Sequence, residues 1–493
     1  MPQRLRILFI SPEVEPFAKT GGLADVAGAL PKALARLGHD VRVLMPKFRG
    51  VERHAGALTP AIARLRVPVG DRTQEGALLE GRMGQVPMYF LAQDHYYDRD
   101  GLYGTPEGDF WDNCERFVFF CRAAVEALRV LGWTPQVIHA NDWQSGLVPV
   151  YLETSYRDDP ALAKIATLFT IHNLAYQGVF WHYDMPMTGL GWDLFTPAGI
   201  EFYGKINFLK GGLAFSDLLS TVSRTYAREI QTPEFGCGLE GVLQGRSPVL
   251  HGVVNGIDYD VWNPASDPVI PKGYTAQDLQ GKRVCKLALQ EELGLAQEPV
   301  ALLGMVTRLV EQKGLNLVLD ALPGLLAEGV QLALLGTGDP ALEQAFSQAA
   351  KEHAGRVAVS LGYDAALAHR IYAGADFFLM PSRYEPCGLG QLISLRYGTI
   401  PLVRWTGGLA DTVIEFDSGK QTGTGFGFAP FSHGALLECA RRALTVYRQP
   451  GLWTRLIRNA MAADFSWEAS AREYVSLYRK ALKAAVPSTR IES

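Results

Sequence analysis

Basic side chains and paired glycines are the residues whose spacing first suggests chemistry. The segments 19–26 (KTGGLADV) and 405–412 (WTGGLADT) share TGGLAD, and the glycines of each precede helical spacing. Backbone N–H groups there, aided by the helix dipole, can face a phosphate. Lys19, Arg308 and Lys313 add cations, and arginine can bind a diphosphate bidentately. The pattern predicts an anion site, although glycine turns with solvated charges remain the alternative.

Polar residues also follow the apolar runs of the sequence. They occur in four groups: His139, Asp142 and Trp143; His172 and Asn173; Asn255, Gly256 and Asp258; Arg383, Glu385, Cys387 and Gly388. Open parallel sheets bind ligands beyond the carboxyl ends of their strands, so this placement predicts a cleft between two domains. Taken singly, each residue is equally well explained as a turn or a helix cap.

Several catalytic motifs do not occur in the sequence. There is no GxxxxGK[ST], no GxGxxG after the first strand, no HExxH and no GxSxG. These absences disfavour P-loop NTPases, ordinary dinucleotide enzymes, zinc proteases and serine hydrolases. The remaining interpretation is a small molecule with a diphosphate, bound without a metal ion.

The elements that must position these residues are short apolar runs with strand character. They occupy residues 6–11, 41–46, 87–92, 136–142, 165–173, 218–223, 249–256, 300–308, 330–336, 357–363, 375–382 and 400–405. Runs in which apolar and polar residues do not alternate are typical of strands covered on both faces. Segments whose apolar residues have helical spacing separate several of these runs. Strand–helix alternation predicts an α/β fold with parallel sheets. One intervening helix, over residues 23–37, contains Pro31, which should kink or shift it.

The chain is long enough for two domains. Its 493 residues exceed the size at which single cores stop growing. We expect Rossmann-like domains over residues 1–248 and 249–465. An amphipathic helix over 467–484 should pack back toward the N-terminal domain, and a tail follows it.

Composition limits the partners and the compartment. The net charge of −4 gives no field that would attract nucleic acid or a membrane surface. The six cysteines form no CxxC pair, and no apolar run approaches the length of a membrane span. The apolar N-terminal run meets Glu13 and Glu15, so it is interpreted as a strand and not as a signal peptide. A cytoplasmic protein is expected.

Six segments together resemble the bacterial glycogen synthase and plant starch synthase family. They are KTGGLADV, HANDW, TIHN, VNGID, the TRL…QKG block and PSRYEPCGLGQL, in order across residues 6–480. The resemblance implies the glycosyltransferase B fold, two Rossmann-like domains with parallel sheets facing a central cleft. It also implies retaining transfer of glucose from ADP-glucose to the non-reducing 4-OH of an α-1,4-glucan such as glycogen, with no cofactor or metal. The N-terminal domain would hold the acceptor and the C-terminal domain the donor.

The resemblance also assigns roles to residues. Arg308 and Lys313 would clamp the diphosphate, Glu385 would hold the donor glucose or its ring charge, and the backbone carbonyl of His172 would face the anomeric carbon. The other implied substrate-binding residues are Lys19, Gly21, Gly22, Asp25, Asp142, Asn173, Asn255, Tyr363 (stacking on adenine), Cys387, Gly388, Leu389, Thr406, Gly407, Gly408 and Tyr97 (on the acceptor side).

Some alternatives stay open at this point. Gly390 stands where the family pattern leads us to expect threonine or serine. The side-chain hydroxyl that either residue would place near the phosphates is therefore missing. Cys387 is read as a packed small residue and not as a nucleophile. Retention allows either double displacement through Glu385 or same-face attack, which we prefer because cations for the leaving group are the clearer feature. UDP-glucose as donor, a pyridoxal-phosphate phosphorylase and a non-catalytic glucan-binding protein are the rival functions.

Overall fold

The chain forms two compact units. A computed structural model describes residues 3–485. Of the described residues, the N-terminal unit contains 3–222, Ala227–Val253 and 467–485; the C-terminal unit contains Ser223–Tyr226 and Val254–Ser466. No helix among the described residues is both long and apolar enough to cross a bilayer.

The N-terminal unit is built on a nine-stranded sheet of order β14-β13-β9-β8-β1-β2-β5-β4-β3. All neighbouring strands run parallel except the pairs that β4 makes with β3 and β5, which are antiparallel. The strands of this unit are β1 Arg6–Ile10, β2 Asp40–Pro46, β3 Thr59–Val69, β4 Arg72–Met83, β5 Val86–Ala92, β6 Gly104–Thr105, β7 Gly108–Asp109, β8 Val137–Asn141, β9 Ala166–Ile171, β10 Val179–Trp181, β11 Glu201–Phe202, β12 Lys205–Asn207, β13 Leu218–Thr221 and β14 Leu250–Gly252.

The long hairpin β3–β4 was not anticipated from the sequence. Most of its positions are exposed or half-buried, and the buried residues are Leu65, Val67 and Val69 of β3 and Leu78 and Met83 of β4. Unbroken apolar runs, from which the strands were predicted, mark only strands that are buried on both faces. The run over 249–256, expected to open the second domain, instead supplies β14, which pairs with β13 in the first sheet.

Helices surround this sheet. They are α1 Gly22–Arg36, α2 Glu52–Ala55, α3 Asp94–Tyr97, α4 Asn113–Val130, α5 Leu147–Glu153, α6 Met185–Thr188, α7 Phe208–Phe215 and α9 Glu240–Gly245. Helix α8, Arg224–Glu229, is divided between the units, because residues 224–226 belong to the C-terminal unit. Helix α1 continues through Pro31, although proline cannot donate the usual hydrogen bond to the carbonyl four residues earlier. Pro31 was expected to kink or shift this helix, and the helix runs through it to Arg36.

The C-terminal unit is built on a six-stranded, fully parallel sheet of order β17-β16-β15-β18-β19-β20. Its strands are β15 Leu302–Val306, β16 Gln331–Gly336, β17 Val357–Leu361, β18 Phe377–Met380, β19 Ile400–Arg404 and β20 Phe426–Phe428. Its helices are α10 Gln280–Glu292, α11 Leu315–Ala327, α12 Pro340–Glu352, α13 Ala365–Gly374, α14 Gly390–Arg396, α15 Gly407–Thr412, α16 His433–Tyr447 and α17 Pro450–Ala462.

Helices cover both faces of this second sheet. Alternate residues of β16 enter two different apolar clusters, Leu332 and Leu334 on one side and Ala333 and Leu335 on the other. Burial on both faces explains why the strand reads as an unbroken apolar run. The predicted fold class, α/β with two parallel-sheet domains, is thereby confirmed.

The last helix, α18 (Trp467–Ala484), belongs to the N-terminal unit. Its buried face includes Tyr474 and Tyr478, and the Tyr478 hydroxyl lies 2.9 Å from Nδ1 of the fully buried His139 on β8. The helix therefore completes the core of the unit in which the chain began. The tail predicted to follow it lies, from residue 486, outside the described residues.

Candidate active site

In the N-terminal unit, a buried carboxylate holds the first glycine loop. Glu13, which follows β1, accepts the backbone N–H of Thr20, the Thr20 hydroxyl at 2.6 Å and the N–H of Gly21 at 3.3 Å. The Tyr103 hydroxyl donates to the same carboxylate at 2.8 Å. Sequence reasoning missed Glu13 as a site residue, because an acidic residue after a strand gives no local signal of what it will bind. Glu13 fixes the loop that leads into α1.

The two glycines of this loop face open space. A Cβ added at Gly21 or Gly22 would meet no atom within 4 Å, and neither residue has a positive φ. Neither packing nor backbone conformation therefore requires glycine at these positions. This favours close approach of a ligand as the reason that both residues are glycine. Lys19 lies beside them and donates to Asp25 at 2.7 Å. Burial raises the pKa of Asp25 and Lys19 opposes that rise.

Asp142 occupies a strained backbone conformation at the end of β8. Its φ of 55° and ψ of 178° lie in a region that residues with a side chain rarely adopt, and such strain concentrates at functional sites. Its carboxylate accepts the backbone N–H of His172 at 2.7 Å, and the N–H of Asn173 also points to it. Burial raises the pKa of Asp142 to about 7, against the lowering effect of these N–H groups.

His172 is held as a neutral imidazole. The Asn141 amide nitrogen donates to the carbonyls of Ile10 and His139, so its oxygen faces His172 Nε2 at 2.9 Å and Nε2 carries the proton. Burial lowers the pKa of His172 to about 3, which keeps the ring uncharged at neutral pH.

The carbonyl of His172 has a defined direction as well. In a trans peptide the C=O of one residue points opposite to the N–H of the next. Because the N–H of Asn173 points to Asp142, the carbonyl of His172 points away from that carboxylate. The side chain of Asn173 accepts the N–H of Ala175 at 3.1 Å, an ordinary turn contact.

Tyr97 does not line an acceptor surface. Its side chain is fully buried, and its hydroxyl donates to the backbone carbonyl of Arg116 at 3.0 Å. The rings of Phe48 and Tyr96 pack against it. Tyr97 was expected on the acceptor side, but the structure places it in the core. Its ring packs against neighbouring aromatic rings, and its hydroxyl is already hydrogen-bonded inside the unit.

In the C-terminal unit, Glu385 and Lys313 form a bidentate ion pair. The ammonium lies 2.9 and 2.6 Å from the two carboxylate oxygens, and the Ser382 hydroxyl donates to one of them at 2.9 Å. The Glu385 side chain is almost fully buried and that of Lys313 is 17% exposed. Lys313, expected to bind a diphosphate, thus already compensates the charge of Glu385.

The backbone carbonyls of residues 385–388 all receive hydrogen bonds from the protein. The N–H of Gly408 lies 3.0 Å from the carbonyl of Glu385 and 3.2 Å from that of Pro386, to which the Ser223 hydroxyl also donates. The amide nitrogen of the buried Gln391 donates at 2.9 Å to the carbonyls of both Cys387 and Gly388. The carbonyl side of this loop is therefore turned into the protein.

The N–H groups of the same loop point the other way. Because the peptides are trans, the N–H groups of Cys387, Gly388 and Leu389 are directed opposite to the satisfied carbonyls. None of the three donates to another residue in the described part of the chain. Three N–H groups held in this way can bind a sugar oxygen or a phosphate.

The second glycine pair is packed, unlike the first. A Cβ on Gly407, whose φ is +45°, would lie 1.8 Å from the carbonyl oxygen of Glu385, and one on Gly408 would lie 2.1 Å from that of Cys387. Thr406, which precedes them, is 1% exposed. The repeated TGGLAD therefore has two functions: the first copy borders open space and the second supports the Glu385 loop.

Three further residues expected at the donor site differ in exposure. Arg308 follows β15 and is exposed, and Tyr363 follows β17 with 88% of its surface exposed. Asn255 is 5% exposed, and its side-chain oxygen is buried without a hydrogen-bond donor among the described residues. A buried amide oxygen of this kind is available to a ligand hydroxyl.

A large neighbour accounts for the glycine at position 390. A Cβ on Gly390 would lie 2.8 Å from the ring of Phe378 and 3.4 Å from the sulfur of Met380. The space for a threonine or serine side chain is thus already filled from β18. Cys387 beside it is buried, and burial raises the pKa of its thiol to about 12, which argues against a nucleophilic role.

No cluster of three or more metal-ligating side chains occurs within residues 3–485.

Comparisons with known proteins agree along the whole chain. Residues 6–245 match the family described as "Starch synthase catalytic domain", and residues 290–461 match "Glycosyl transferases group 1". The chain is 51% identical over 480 residues to a glycogen synthase of Syntrophotalea carbinolica, covering 97% of this chain and 99% of that protein. It is 52% identical over 477 residues to a glycogen synthase of Anaeromyxobacter dehalogenans, covering 96% and 99%.

Two solved structures are also similar. The catalytic domain of starch synthase IV from Arabidopsis thaliana, bound to ADP and acarbose, superposes with a TM-score of 0.88 at 35% identity, covering 98% of this chain and all of that one. Sucrose-phosphate synthase from Thermosynechococcus elongatus superposes with a TM-score of 0.61 at 19% identity, covering 98% of this chain and all of that one. The second likeness concerns the fold alone.

Proposed function

Because this chain belongs to the glycogen synthase and starch synthase family, we propose that it acts as a glycogen synthase. It transfers glucose from ADP-glucose to the non-reducing 4-OH of an α-1,4-glucan, with retention at the anomeric carbon. The observation that carries the proposal is the loop 385–389, in which a buried glutamate stands beside three outward N–H groups. The cysteines of the chain are all free, which fits the reducing cytoplasm in which we place the protein.

The C-terminal unit binds the donor in this proposal. Arg308, exposed after β15, neutralises the diphosphate and the charge that grows on the leaving ADP. The N–H groups of residues 387–389 and the buried oxygen of Asn255 bind the glucose or the phosphate. Glu385, oriented by Lys313 and Ser382, faces the donor sugar.

The N-terminal unit supplies the groups that act beside the reacting sugar. Asp142 orients the peptide between His172 and Asn173, so that the His172 carbonyl offers a fixed partial negative charge to a positively charged ring. The open loop at Gly21 and Gly22, with Lys19, binds donor phosphate or sugar oxygens. No titration of His172 is needed, because its imidazole stays neutral.

Same-face attack accounts best for retention. Both oxygens of Glu385 are engaged by Lys313, and one also by Ser382, which weakens that carboxylate as a nucleophile. The departing phosphate oxygen instead takes the proton of the acceptor 4-OH as the new bond forms. A glycosyl adduct trapped on Glu385 would overturn this mechanism.

The test is transfer of labelled glucose to glycogen, with ADP-glucose and UDP-glucose compared and with a chelator present or absent. We expect transfer from ADP-glucose that the chelator does not reduce. Transfer that requires UDP-glucose, or release of glucose 1-phosphate with a pyridoxal absorption band, would assign a rival function. No transfer from either donor would refute the proposal.

A matched pair of arginine variants makes this test specific to the site. Arg308→Ala is expected to lower kcat/KM by about 10²- to 10³-fold, as loss of a preorganised charge does. Arg448→Ala removes another exposed arginine of the same unit, and we expect it to leave transfer unchanged.

A further inference from the structure

A short segment of the chain packs with a different unit from that of its neighbours in sequence. Residues 223–226, which we call the clasp segment, belong to the C-terminal unit, although Val222 before them and Ala227 after them belong to the N-terminal unit. The segment follows β13 and contains the first residues of α8. Specific contacts hold it in the C-terminal unit, and all of them reach the loop 385–389 or the helix that supports this loop.

The hydroxyl of Ser223 is fixed in direction because it both accepts and donates a hydrogen bond. Its oxygen accepts the N–H of Tyr226 at 3.0 Å, as a serine at a helix N-cap does. Its single proton is therefore directed to the carbonyl of Pro386, which lies 2.7 Å away. Ser223 is fully buried, so water does not compete for either bond.

The carbonyl of Pro386 depends more on Ser223 than on its other donor. The N–H of Gly408 lies 3.2 Å from this carbonyl and 3.0 Å from that of Glu385, so one donor is shared between two acceptors. A single bond of 2.7 Å from a hydroxyl is stronger than one half of such a shared contact. Ser223 therefore determines the direction of the Pro386 carbonyl.

A second set of contacts anchors the clasp segment. Asp411 accepts the N–H of Thr225 at 2.9 Å and its hydroxyl at 2.6 Å. Asp411 lies on α15, the helix that begins at Gly407 and supports the loop 385–389. Ser223 thus holds the loop directly, and Thr225 keeps Ser223 in place.

We propose that Ser223 is a positioning residue for the glycosyl donor: its hydroxyl fixes the carbonyl of Pro386 and thereby aims the N–H of Cys387 at an oxygen of the bound sugar nucleotide. This inference rests on the proposed function. In the trans peptide between Pro386 and Cys387, the C=O and the N–H point in opposite directions, so fixing one fixes the other. A hydrogen bond to the carbonyl also polarises the peptide and makes its N–H a stronger donor.

The direct test is calorimetric titration of the full-length protein with ADP-glucose in the absence of glucan. Ser223→Ala is expected to raise the dissociation constant about tenfold, as loss of one well-directed hydrogen bond does. Ser216→Ala is the matched control, because Ser216 is also buried and its hydroxyl donates to the carbonyl of Gly212 at 2.7 Å. The control should bind as wild type does. An unchanged dissociation constant in a folded Ser223→Ala protein would overturn the proposal.

Titration with ADP identifies the oxygen that receives the N–H of Cys387. An equal loss of affinity for ADP assigns this N–H to a phosphate, whereas a loss confined to ADP-glucose assigns it to the glucose. Both results agree with the proposal.

Thr225 gives a second test at a position that is only half-buried. Thr225→Val keeps the shape of the side chain but removes the hydroxyl that Asp411 accepts, and it should raise the dissociation constant two- to fivefold. Thr225→Ser keeps the hydroxyl and should restore wild-type affinity. If Ser223→Ala does not fold and Thr225→Val binds as wild type does, the proposal is wrong.

Kinetics distinguishes positioning from a loss of folded protein. Ser223→Ala should raise KM for ADP-glucose about tenfold and leave KM for glycogen and kcat unchanged, because the lost interaction is present in both the ground state and the transition state. A lower kcat with an unchanged KM for ADP-glucose would indicate a merely structural role and would refute the proposal. If the wild type binds ADP-glucose but transfers glucose to no acceptor, the proposed function fails, whereas the titrations still test Ser223.

Discussion

At the scale of single residues, Asp142 combines backbone strain with a buried charge. A φ of 55° and a pKa raised to about 7 both disfavour the folded chain at neutral pH. The carboxylate is retained there because it orients the His172–Asn173 peptide through two N–H groups. Costs of this kind are typical of functional positions.

Asp142→Asn is expected to change the pH dependence of stability. The pKa of Asp142 is about 7 in the folded chain and roughly 3.9 when unfolded, so the folded state binds the extra proton between these values. The free energy of unfolding therefore falls as pH rises from about 4 to about 7. The variant lacks this slope: it should match wild type near pH 4, exceed it at pH 8, and transfer glucose more slowly. Urea unfolding at both pH values measures this, and parallel pH profiles would contradict it.

The Lys313–Glu385 pair predicts a loss of stability that a second substitution repairs. Lys313→Met leaves a buried carboxylate without its cation and should cost about 3 kcal/mol of unfolding free energy. Adding Glu385→Gln removes the charge and should recover most of that loss, while transfer stays impaired in both variants. Urea unfolding and the transfer assay together provide the measurement.

An exposed pair of the same unit gives the control for this cycle. Lys420 and Asp417 are 3.4 Å apart and largely exposed, so Lys420→Met should alter the unfolding free energy by less than about 1 kcal/mol. If Lys313→Met were equally harmless, the buried pair would have no structural role.

At the scale of elements, one hexapeptide is used in two different ways. In α1, TGGLAD begins a helix beside open space, and its aspartate pairs with Lys19. In α15, the same letters pack against the Glu385 loop, and Asp411 accepts the N–H and the hydroxyl of Thr225 at 2.9 and 2.6 Å. Both copies lead into a helix, but α1 begins at the second glycine of its pair and α15 at the first, and only Gly407 has a positive φ. Identical local sequence therefore yields a helix in both places with different turns and different surroundings.

Alanine at the two glycine pairs should separate these uses. Gly22→Ala should leave the unfolding free energy unchanged or raise it by up to about 1 kcal/mol, yet lower transfer. Gly408→Ala should destabilise by about 2 kcal/mol or more, because its Cβ meets a backbone carbonyl. Gly241→Ala, with open space in α9, should likewise leave the unfolding free energy unchanged or raise it by up to about 1 kcal/mol, but it should not lower transfer. Thermal unfolding and transfer rates are the readouts, and a destabilised Gly22→Ala would contradict the distinction.

At the scale of the whole molecule, the chain returns to the unit in which it began. Helix α18 packs on α1 and the first sheet, so its contacts join residues at opposite ends of the sequence. Its Tyr478 closes a buried chain of hydrogen bonds through His139 and Thr170 to Ser220. The N-terminal unit is therefore incomplete until the last helix has been made.

Tyr478→Phe tests the contribution of this closure. Removal of the hydroxyl leaves a buried nitrogen of His139 without a partner and should cost about 1–3 kcal/mol. Calorimetry of the full chain measures it as a lower melting temperature for the N-terminal unit. Tyr176→Phe, at an exposed tyrosine of the same unit, should have no effect; an equal shift in both variants would exclude a specific role for the His139 contact.

Much of the fold was predictable because the central strands are buried on both faces. Every predicted apolar run contains a strand, and unbroken apolar stretches such as 330–336 carry that information locally. The hairpin β3–β4 was missed because most of its positions are exposed or half-buried, so neither strand is marked by an unbroken apolar run. Tyr97 was predicted on the acceptor side but is buried, because an aromatic residue gives the same signal in the sequence whether it lies in a core or at a binding surface.

The sequence by itself determined which residue types are available for chemistry and which segments become strands and helices. Motifs such as EPCGL and KTGGLADV also determined the family, since they are local strings. Only the tertiary structure decided what each motif contacts: Glu13 with Thr20, Lys313 with Glu385, and Gly408 with the carbonyl of Glu385. The physical reason is that hydrogen bonding, burial and charge depend on neighbours remote in the chain, whereas propensity and periodicity depend on neighbours along it.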